Sequence, residues 1–432
     1  MKIAFYLDNI KDEIDYQNYN VSNPGIGGTQ YLIWTLASKL AERSNDIEVY
    51  VFTEKKVKFI KEIYSECVID LKDAIKKAKD HNIDFFILRG PYIEISVIKY
   101  INECKLNVIV WSHNFENFRT IYNLSKCKYL VKNICVSSEQ LNYLYDTKLY
   151  EKSTYIYNAL NFNIFNNLKE SNFDINEAKS ICYMGNLYPN SGYEILLDIW
   201  KMIEKEYGNS ISLKIIGSKD LYDSDKMKKR YSLKTFKRLE KKERVLYNKN
   251  GLLKENIKLY GIQGGEEKND IMRNSHVGVA NITPQGDTFG LSVVEFQALN
   301  VPVISINKDG VRETVVNNST GILVNNKKEL YKALKKILDN ETLRNELSIN
   351  GYIEMKRRFD IDEIIKEWEE LLREPTKFNK KKDDFDKFCY DRKFIIWLNS
   401  KIKKIIPILP SIMFYKYFKY VIKRFLQKKN IY

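Results

Sequence analysis

Short apolar runs alternate along this chain with longer stretches in which apolar residues return every three or four positions. The short runs have strand composition, and six fall in the first part: Lys2–Leu7, Ile47–Thr53, Ile83–Leu88, Asn107–Trp111, Asn133–Val136 and Thr154–Tyr157. Between the first two, Tyr31–Arg43 carries its apolar residues at helical spacing. This order predicts βαβ units and a parallel sheet. The pattern then restarts, with strands predicted at Ser180–Met184, Ser212–Ile216, Ile257–Tyr260, Val277–Ala280, Pro302–Ile306 and Gly321–Val324.

Between the halves, the polar, Asn-rich segment Phe165–Glu177 reads as a linker. Lys219–Glu255 is a charged insertion, predicted helical and exposed. Ile361–Arg373 places Ile361, Ile364, Ile365, Trp368, Leu371 and Leu372 on one side of a helix. A Lys-rich linker, Glu374–Asp384, leads to a tail that Pro407 and Pro410 divide into two short helices. The expected fold is α/β: two doubly wound domains, residues 1–166 and 167–360, with residues 361–373 crossing back to the first and 374–432 forming a basic amphipathic tail. In open α/β sheets ligands bind beyond the carboxyl ends of the strands, so a cleft between two such domains is the expected site.

Composition narrows the function. With 432 residues and 44% hydrophobic positions, two sizeable cores can form. Net charge is +15, but Arg392–Tyr432 alone holds eleven Lys or Arg and no acid. The charge therefore describes a surface partner of the tail rather than the body. Aromatic and aliphatic residues interleave with these cations, as in helices that lie on an anionic membrane, and no nucleic-acid-binding motif accompanies them. Six cysteines without a C-x-x-C pair read as free thiols of a reducing compartment. The first apolar run is too short for a signal peptide, and no run of about 18 apolar residues exists to span a membrane. A cytoplasmic protein at the inner face of the plasma membrane is expected.

The segment with most chemistry is Gly286-Asp-Thr-Phe-Gly-Leu-Ser-Val-Val-Glu295, continuing to Pro302-Val-Ile304. A turn of small residues opens a helix, whose free N–H groups near Phe289, Gly290, Leu291 and Ser292 suit a phosphate. Asp287 stands at that mouth. Glu295 lies eight residues on, a little over two helical turns, so both could face one ligand. The plainer alternative is a capping acid and a solvated one.

This segment resembles the signature of the retaining nucleotide-sugar glycosyltransferases of family 4 (group 1), which have two facing Rossmann-like domains in the GT-B architecture. Their pattern is Glu, seven residues, Glu, with Phe-Gly-Leu between and a Pro-Val strand after. Phe289, Gly290, Leu291, Glu295, Pro302 and Val303 are in register, and Asp287 replaces the first Glu. The resemblance implies that Asp287 contacts the donor sugar and Glu295 the ribose hydroxyls. Gly25-Ile-Gly27-Gly28-Thr29 resembles the family's amino-terminal glycine loop. His113, after the fourth predicted strand, matches a histidine near the reacting sugar. Gly217 and the Leu259-Tyr-Gly261 strand end resemble the nucleoside pocket. Asn186 and Ser191 stand where the family has Arg and Lys for the diphosphate, leaving Lys219, Arg312 or helix N–H groups to compensate.

What the resemblance implies is a metal-independent transferase with no cofactor, its donor a nucleotide sugar and its acceptor a lipid-linked glycan in bacterial surface-polysaccharide synthesis. The residues after 385 would meet an anionic membrane, and nucleic acid is not an expected partner. Three Asp-x-Asp pairs, at 223/225, 360/362 and 384/386, are read as chance rather than metal ligands. A non-catalytic partner subunit and a sugar-nucleotide epimerase on the same fold are the alternatives.

Overall fold

A computed structural model describes residues 1–8, 14–90, 93–165, 178–218, 231–283, 286–380, 393–412, 414–415 and 418–419. The predicted linker residues 166–177 and 381–384, Lys219, the Asp-x-Asp pairs at 223/225 and 384/386 and residues 420–432 lie outside these. The chain divides into two compact units: Met1–Tyr19, Leu32–Tyr157 and Ile364–Tyr432 form the first, Asn20–Tyr31 and Asn158–Glu363 the second.

The first unit runs β1 (Lys2–Leu7), α1 (Gly28–Arg43, from Leu32 onward in this unit), β2 (Glu48–Thr53), β3 (Ile63–Cys67), α2 (Leu71–Asp80), β4 (Phe85–Arg89), α3 (Ile95–Cys104), β5 (Val108–Ser112), α4 (Phe118–Ser125), β6 (Leu130–Cys135), α5 (Ser138–Asn142) and β7 (Ser153–Tyr155). Its sheet has the order β3-β2-β1-β4-β5-β6-β7, and every pair is parallel. β1 is buried from Ile3 through Leu7, as expected of a strand covered on both faces. β3 is absent from the expected strands. Its sequence, Ile-Tyr-Ser-Glu-Cys, is mostly exposed and pairs only with β2 at the sheet edge, so it has no apolar run to announce it.

The second unit runs β8 (Lys179–Met184), α6 (Gly192–Tyr207), β9 (Ile211–Ile216), α7 (Leu233–Glu243), β10 (Ile257–Gly261), α8 (Gly265–Arg273), β11 (Val277–Ala280), α9 (Leu291–Ala298), β12 (Val303–Ile306), β13 (Gly321–Val324), α10 (Lys327–Leu338) and α11 (Glu341–Phe359). Its parallel sheet has the order β10-β9-β8-β11-β12-β13. Tyr193, Leu197 and Trp200 of α6 share one core with Leu213, Ile215 and Ile304 of the sheet and with Leu334 of α10.

The insertion is not simply exposed, as its charge suggested. Leu239 and Leu246 enter the core at 1% exposure, while Arg238 pairs with Glu194 at 3.0 Å and Lys242 with Asp198 at 2.8 Å on α6. Leu239 seats the helix Leu233–Glu243, Leu246 seats the turn that follows it, and the other faces of the helix stay charged.

Two helices follow: α12 (Ile361–Arg373) and α13 (Lys393–Ile405). On α12 the six apolar positions of the predicted stripe are all buried, and Trp368 meets Trp111 of β5 edge to face at 4.9 Å. In the first unit α13 is fixed through Asp146. That carboxylate accepts from the Asn399 amide at 2.8 Å and the Ile412 N–H at 2.6 Å, and Ile396 is fully buried. Among the described residues no helix is long and apolar enough to cross a membrane.

Candidate active site

In the second unit the strand order reverses between β8 and β11, so their carboxyl ends mark the expected crevice. Three glycines gather at neighbouring tips. The Gly217 N–H donates to the Gly261 carbonyl at 2.8 Å, and the Gly185 N–H to the Ile216 carbonyl at 3.1 Å. Gly217 has φ +144°, and a Cβ there would stand 1.9 Å from the Gly185 carbonyl oxygen. Only glycine fits, and the tips present backbone rather than side chains.

Beyond β11 the chain turns through Asn281, Gly286 and Asp287 into α9. The helix begins at Leu291 with Gly290 as its cap, so Asp287 does not cap it. Its carboxylate instead accepts from the Thr288 N–H at 2.6 Å and the Asn281 amide at 2.7 Å, and also from the Phe289 N–H. Burial raises the Asp287 carboxyl above the usual range, and these donors oppose that rise. The N–H groups of Thr288 and Phe289 are thus spent within the turn. Phe289 itself is buried edge to face on Phe359 at 5.0 Å, so its side chain supports the turn rather than lining an open site. Ser292 donates its hydroxyl to the Asn281 oxygen at 2.7 Å. Asn281, absent from the sequence prediction, therefore joins Asp287 to the first turn of α9. Its one legible signal was its place directly after a strand.

Glu295 is not on an open face of α9. It is 3% exposed, and Lys268 of α8, 1% exposed, donates to its Oε1 at 2.5 Å. No motif assigns Lys268 this role. The neighbouring Asn269 donates to the Ser22 hydroxyl at 2.6 Å, and the Gly265 N–H donates to the Asn23 carbonyl at 2.8 Å. These bonds hold the loop Asn20–Tyr31, with Gly27 and Gly28, in the second unit. The approach is close: a Cβ on Gly264 would lie 2.2 Å from the Pro24 carbonyl carbon. At Gly28 a Cβ would meet Leu291 of α9 at 3.5 Å, so the glycine loop and the start of α9 are neighbours.

Asn186 and Ser191 follow β8. Asn186 is exposed, and its side-chain oxygen accepts from the Tyr188 N–H at 3.5 Å. Ser191 caps α6 and accepts from the Tyr193 N–H at 3.3 Å. Arg312 donates to the Asn307 carbonyl at 3.1 Å. The described Asp-x-Asp pair is a turn: Asp360 accepts from the Asp362 N–H at 3.0 Å.

His113 belongs to the first unit, one residue past β5. Its ring lies 4.4 Å from that of Trp111. Burial, with the nearby Arg89 guanidinium, holds the imidazole down to about 3, so it is neutral at pH 7. Arg89, ending β4, donates to Asp8 after β1 at 2.8 Å. Glu116 is pushed up to about 7 by burial, with Ser112 hydrogen-bonded to it. The sequence pattern marks none of Asp8, Arg89 and Glu116.

Glycine-tipped parallel strands and a small-residue turn feeding a helix match the frame that the motif predicted. Residues 165–354 match the family of glycosyl transferases group 1. An uncharacterized glycosyltransferase of Methanocaldococcus jannaschii is 29% identical over 246 residues, 56% of this chain and 60% of its own length. Another, of Haemophilus influenzae, is 23% identical over 382 residues, 84% of this chain and 94% of its own. The capsular polysaccharide biosynthesis glycosyltransferase CapM of Staphylococcus aureus is 28% identical over 214 residues, 49% of this chain and half of its own length. Among solved structures, HepE of Anabaena in complex with UDP-glucose superposes with a TM-score of 0.62, at 15% identity, over 86% of this chain and 99% of that one. At that identity the likeness is one of fold. Residues 165–354 thus carry the likeness to the group 1 glycosyl transferases, and the chain has the GT-B fold.

Proposed function

We propose that this enzyme moves a sugar from a nucleotide-sugar donor to a lipid-linked or polysaccharide acceptor, with retention of configuration, in bacterial surface-glycan synthesis. The observation that carries the reading is the Gly286–Ala298 turn and helix, which puts Asp287 and Glu295 in one unit with the strand-tip glycines Gly185, Gly217 and Gly261. In this reading Glu295 takes the ribose hydroxyls, and Asp287, braced by Asn281, takes the donor sugar. The N–H groups of Leu291 and Ser292, the glycine loop at Gly27–Gly28, and the side chains of Asn186 and Ser191 serve the diphosphate. His113, neutral, hydrogen-bonds the transferring sugar. No side chain is the nucleophile: the leaving phosphate takes the acceptor proton on the same face. Catalysis is positioning and stabilisation of the leaving group, and the reading assigns no metal or other cofactor. The likeness to CapM and to a UDP-glucose complex supports the substrate classes.

The same proposal places the enzyme in the cytoplasm, on the inner face of the plasma membrane. On α13 and beyond, Phe394, Ile395, Leu398, Ile405 and Ile408 are exposed beside Lys401 and Lys404. Apolar side chains at an anionic surface, each cation adding about 1 kcal/mol, favour that placement. Sedimentation with phosphatidylglycerol vesicles, lost in a chain ending at Asp384 and absent with phosphatidylcholine, is the expected result.

Turnover is tested by nucleotide release from a panel of nucleotide sugars with a lipid-linked acceptor extract and EDTA. Release should require acceptor, survive EDTA, and fall about 100-fold or more in Glu295→Ala. A second reading, a partner subunit that keeps the fold without turnover, is favoured by Asn186 and Ser191, whose side chains serve as local caps. No release and no nucleotide binding across the panel would select it.

A further inference from the structure

Lys268 and Asn269 are consecutive residues of α8, and each makes one buried contact of consequence. Lys268 reaches Glu295, and Asn269 reaches Ser22 in the loop that carries Gly27 and Gly28. Among the other charged residues of this helix the acids lie at the surface, and the buried Arg273 binds two of them. Glu266 and Asp270 have side chains 61% and 57% exposed and bind Arg273 at 3.1 and 2.6 Å. A lysine is among the residues least often buried, because its ammonium is strongly hydrated. It stays inside only with a partner of opposite charge, and here that partner is itself 3% exposed. The two charges are therefore mutually dependent. Glu295 is a buried residue of an eight-residue helix that begins after Gly290 in the left-handed region. Tyr31 is buried in the same unit, and after burial itself the charge of Glu295 is what raises its hydroxyl.

We propose that Lys268 is the positioning residue for donor recognition: by binding Glu295 Oε1 it fixes the carboxylate so that its remaining lone pairs meet the two ribose hydroxyls of a nucleoside diphosphate. A carboxylate has about four acceptor sites, so one ammonium leaves capacity for a vicinal diol. Without the ammonium, Glu295 loses both its orientation and the compensation for its buried charge. The inference rests on the reading that Glu295 contacts the ribose.

The experiment measures, by titration calorimetry on the full chain, the affinity for the tightest-binding of UDP, GDP, ADP and CDP and for its 2′,3′-dideoxy counterpart. The ratio of the two affinities reports ribose recognition, which a general loosening of the fold would not change selectively. The wild type should prefer the ribonucleotide by about tenfold or more, the order expected when a buried acceptor is left without its hydrogen-bond partner. Lys268→Met should bring the ratio close to one, as Glu295→Ala does, and Lys268→Arg should restore part of it. Because an orphaned charge could unfold the single variant, Lys268→Met with Glu295→Gln is measured too, and its ratio should equal that of Glu295→Gln alone. A preserved ratio in folded Lys268→Met, with a lost one in Glu295→Ala, overturns the role of Lys268 and leaves that of Glu295 standing. A preserved ratio in Glu295→Ala, or a wild type that binds none of the four, overturns the ribose assignment and this inference with it.

Discussion

In the first unit the tips of β1, β4 and β5 lead into Asp8, Arg89 and His113; in the second, β8 and β9 lead into Gly185 and Gly217, and β10 ends in Gly261. The strand orders correspond, β3-β2-β1-β4-β5-β6 against β10-β9-β8-β11-β12-β13, with β7 added to the first. The scaffold is thus repeated while the chemistry on it is not. In the first unit burial shifts the titration of His113 and Glu116. The second offers bare backbone at its strand tips, with the Asp287 carboxyl in the turn before α9 and the buried Lys268–Glu295 pair on α8 and α9. A fold of this kind sets where a site lies, and the loop residues set what it does.

Removing core side chains should have the largest effect. Trp368 is fully buried against Trp111, and Trp368→Ala should destabilise the first unit by about 3–5 kcal/mol. Urea unfolding followed by tryptophan fluorescence measures it. Lys268→Met in the second unit should cost about as much, roughly 3 kcal/mol or somewhat more, but for a different reason: Glu295 is left charged and alone. That origin has its own signature. Lys268→Met with Glu295→Leu should recover most of the loss, since an apolar pair of similar volume often equals a buried ion pair. A double variant no more stable than the single would mean that lost packing, not an orphaned charge, is the cause. A smaller effect belongs to Asp146→Ala, which removes the acceptor for Asn399 and Ile412. It should cost about 1–3 kcal/mol locally. Earlier trypsin cleavage at the lysines of α13, with unchanged global unfolding, is the expected readout.

Much of this molecule was legible in its sequence, for reasons that particular elements show. Val277–Ala280 and Gly321–Val324 are the strands that the apolar runs predicted, because a strand buried on both faces must be apolar throughout. The stripe on α12 was legible because one face of a helix is enough to specify it. β3 was not, since an edge strand with Ser and Glu has no such constraint. At the site, the spacing of Asp287 and Glu295 could be read, but their surroundings could not. A Gly-Glu-Glu-Lys run describes an exposed helix start, and only tertiary contact between positions 27 residues apart turns Lys268 inward. Asp287 binding its own turn, in place of capping α9, follows from Gly290 in the left-handed region, which no local pattern announced.

The smallest expected effect is a pH dependence of the first unit. Burial raises Glu116 to about 7, from an ordinary value near 4.5 in the unfolded chain. The folded state therefore holds a proton that the unfolded state has released between those values. Its stabilising share is fully present below about 4.5 and lost as pH rises through 7. His113 has the opposite sign of dependence. Its folded value is about 3 against about 6.5 unfolded, so the unfolded chain gains a proton first, and stability falls as pH drops from 6.5 toward 3. The first unit should therefore be most stable between about 4.5 and 6.5, where the two slopes oppose each other. Glu116→Gln should remove the alkaline arm, gaining about 1–2 kcal/mol over the wild type at pH 8 once solvent screening of a half-buried group is allowed for, and close to nothing at pH 4.5. His113→Phe should flatten the acid arm and leave pH 8 unchanged. Melting curves of the three proteins across pH 4–8 decide the matter. Equal shifts of Glu116→Gln at both ends would place its effect in packing against Gly90 rather than in charge, since a Cβ at Gly90 would lie 2.2 Å from the Glu116 carboxylate. The ionisable cluster of the first unit would then be no more pH-sensitive than the glycine tips of the second.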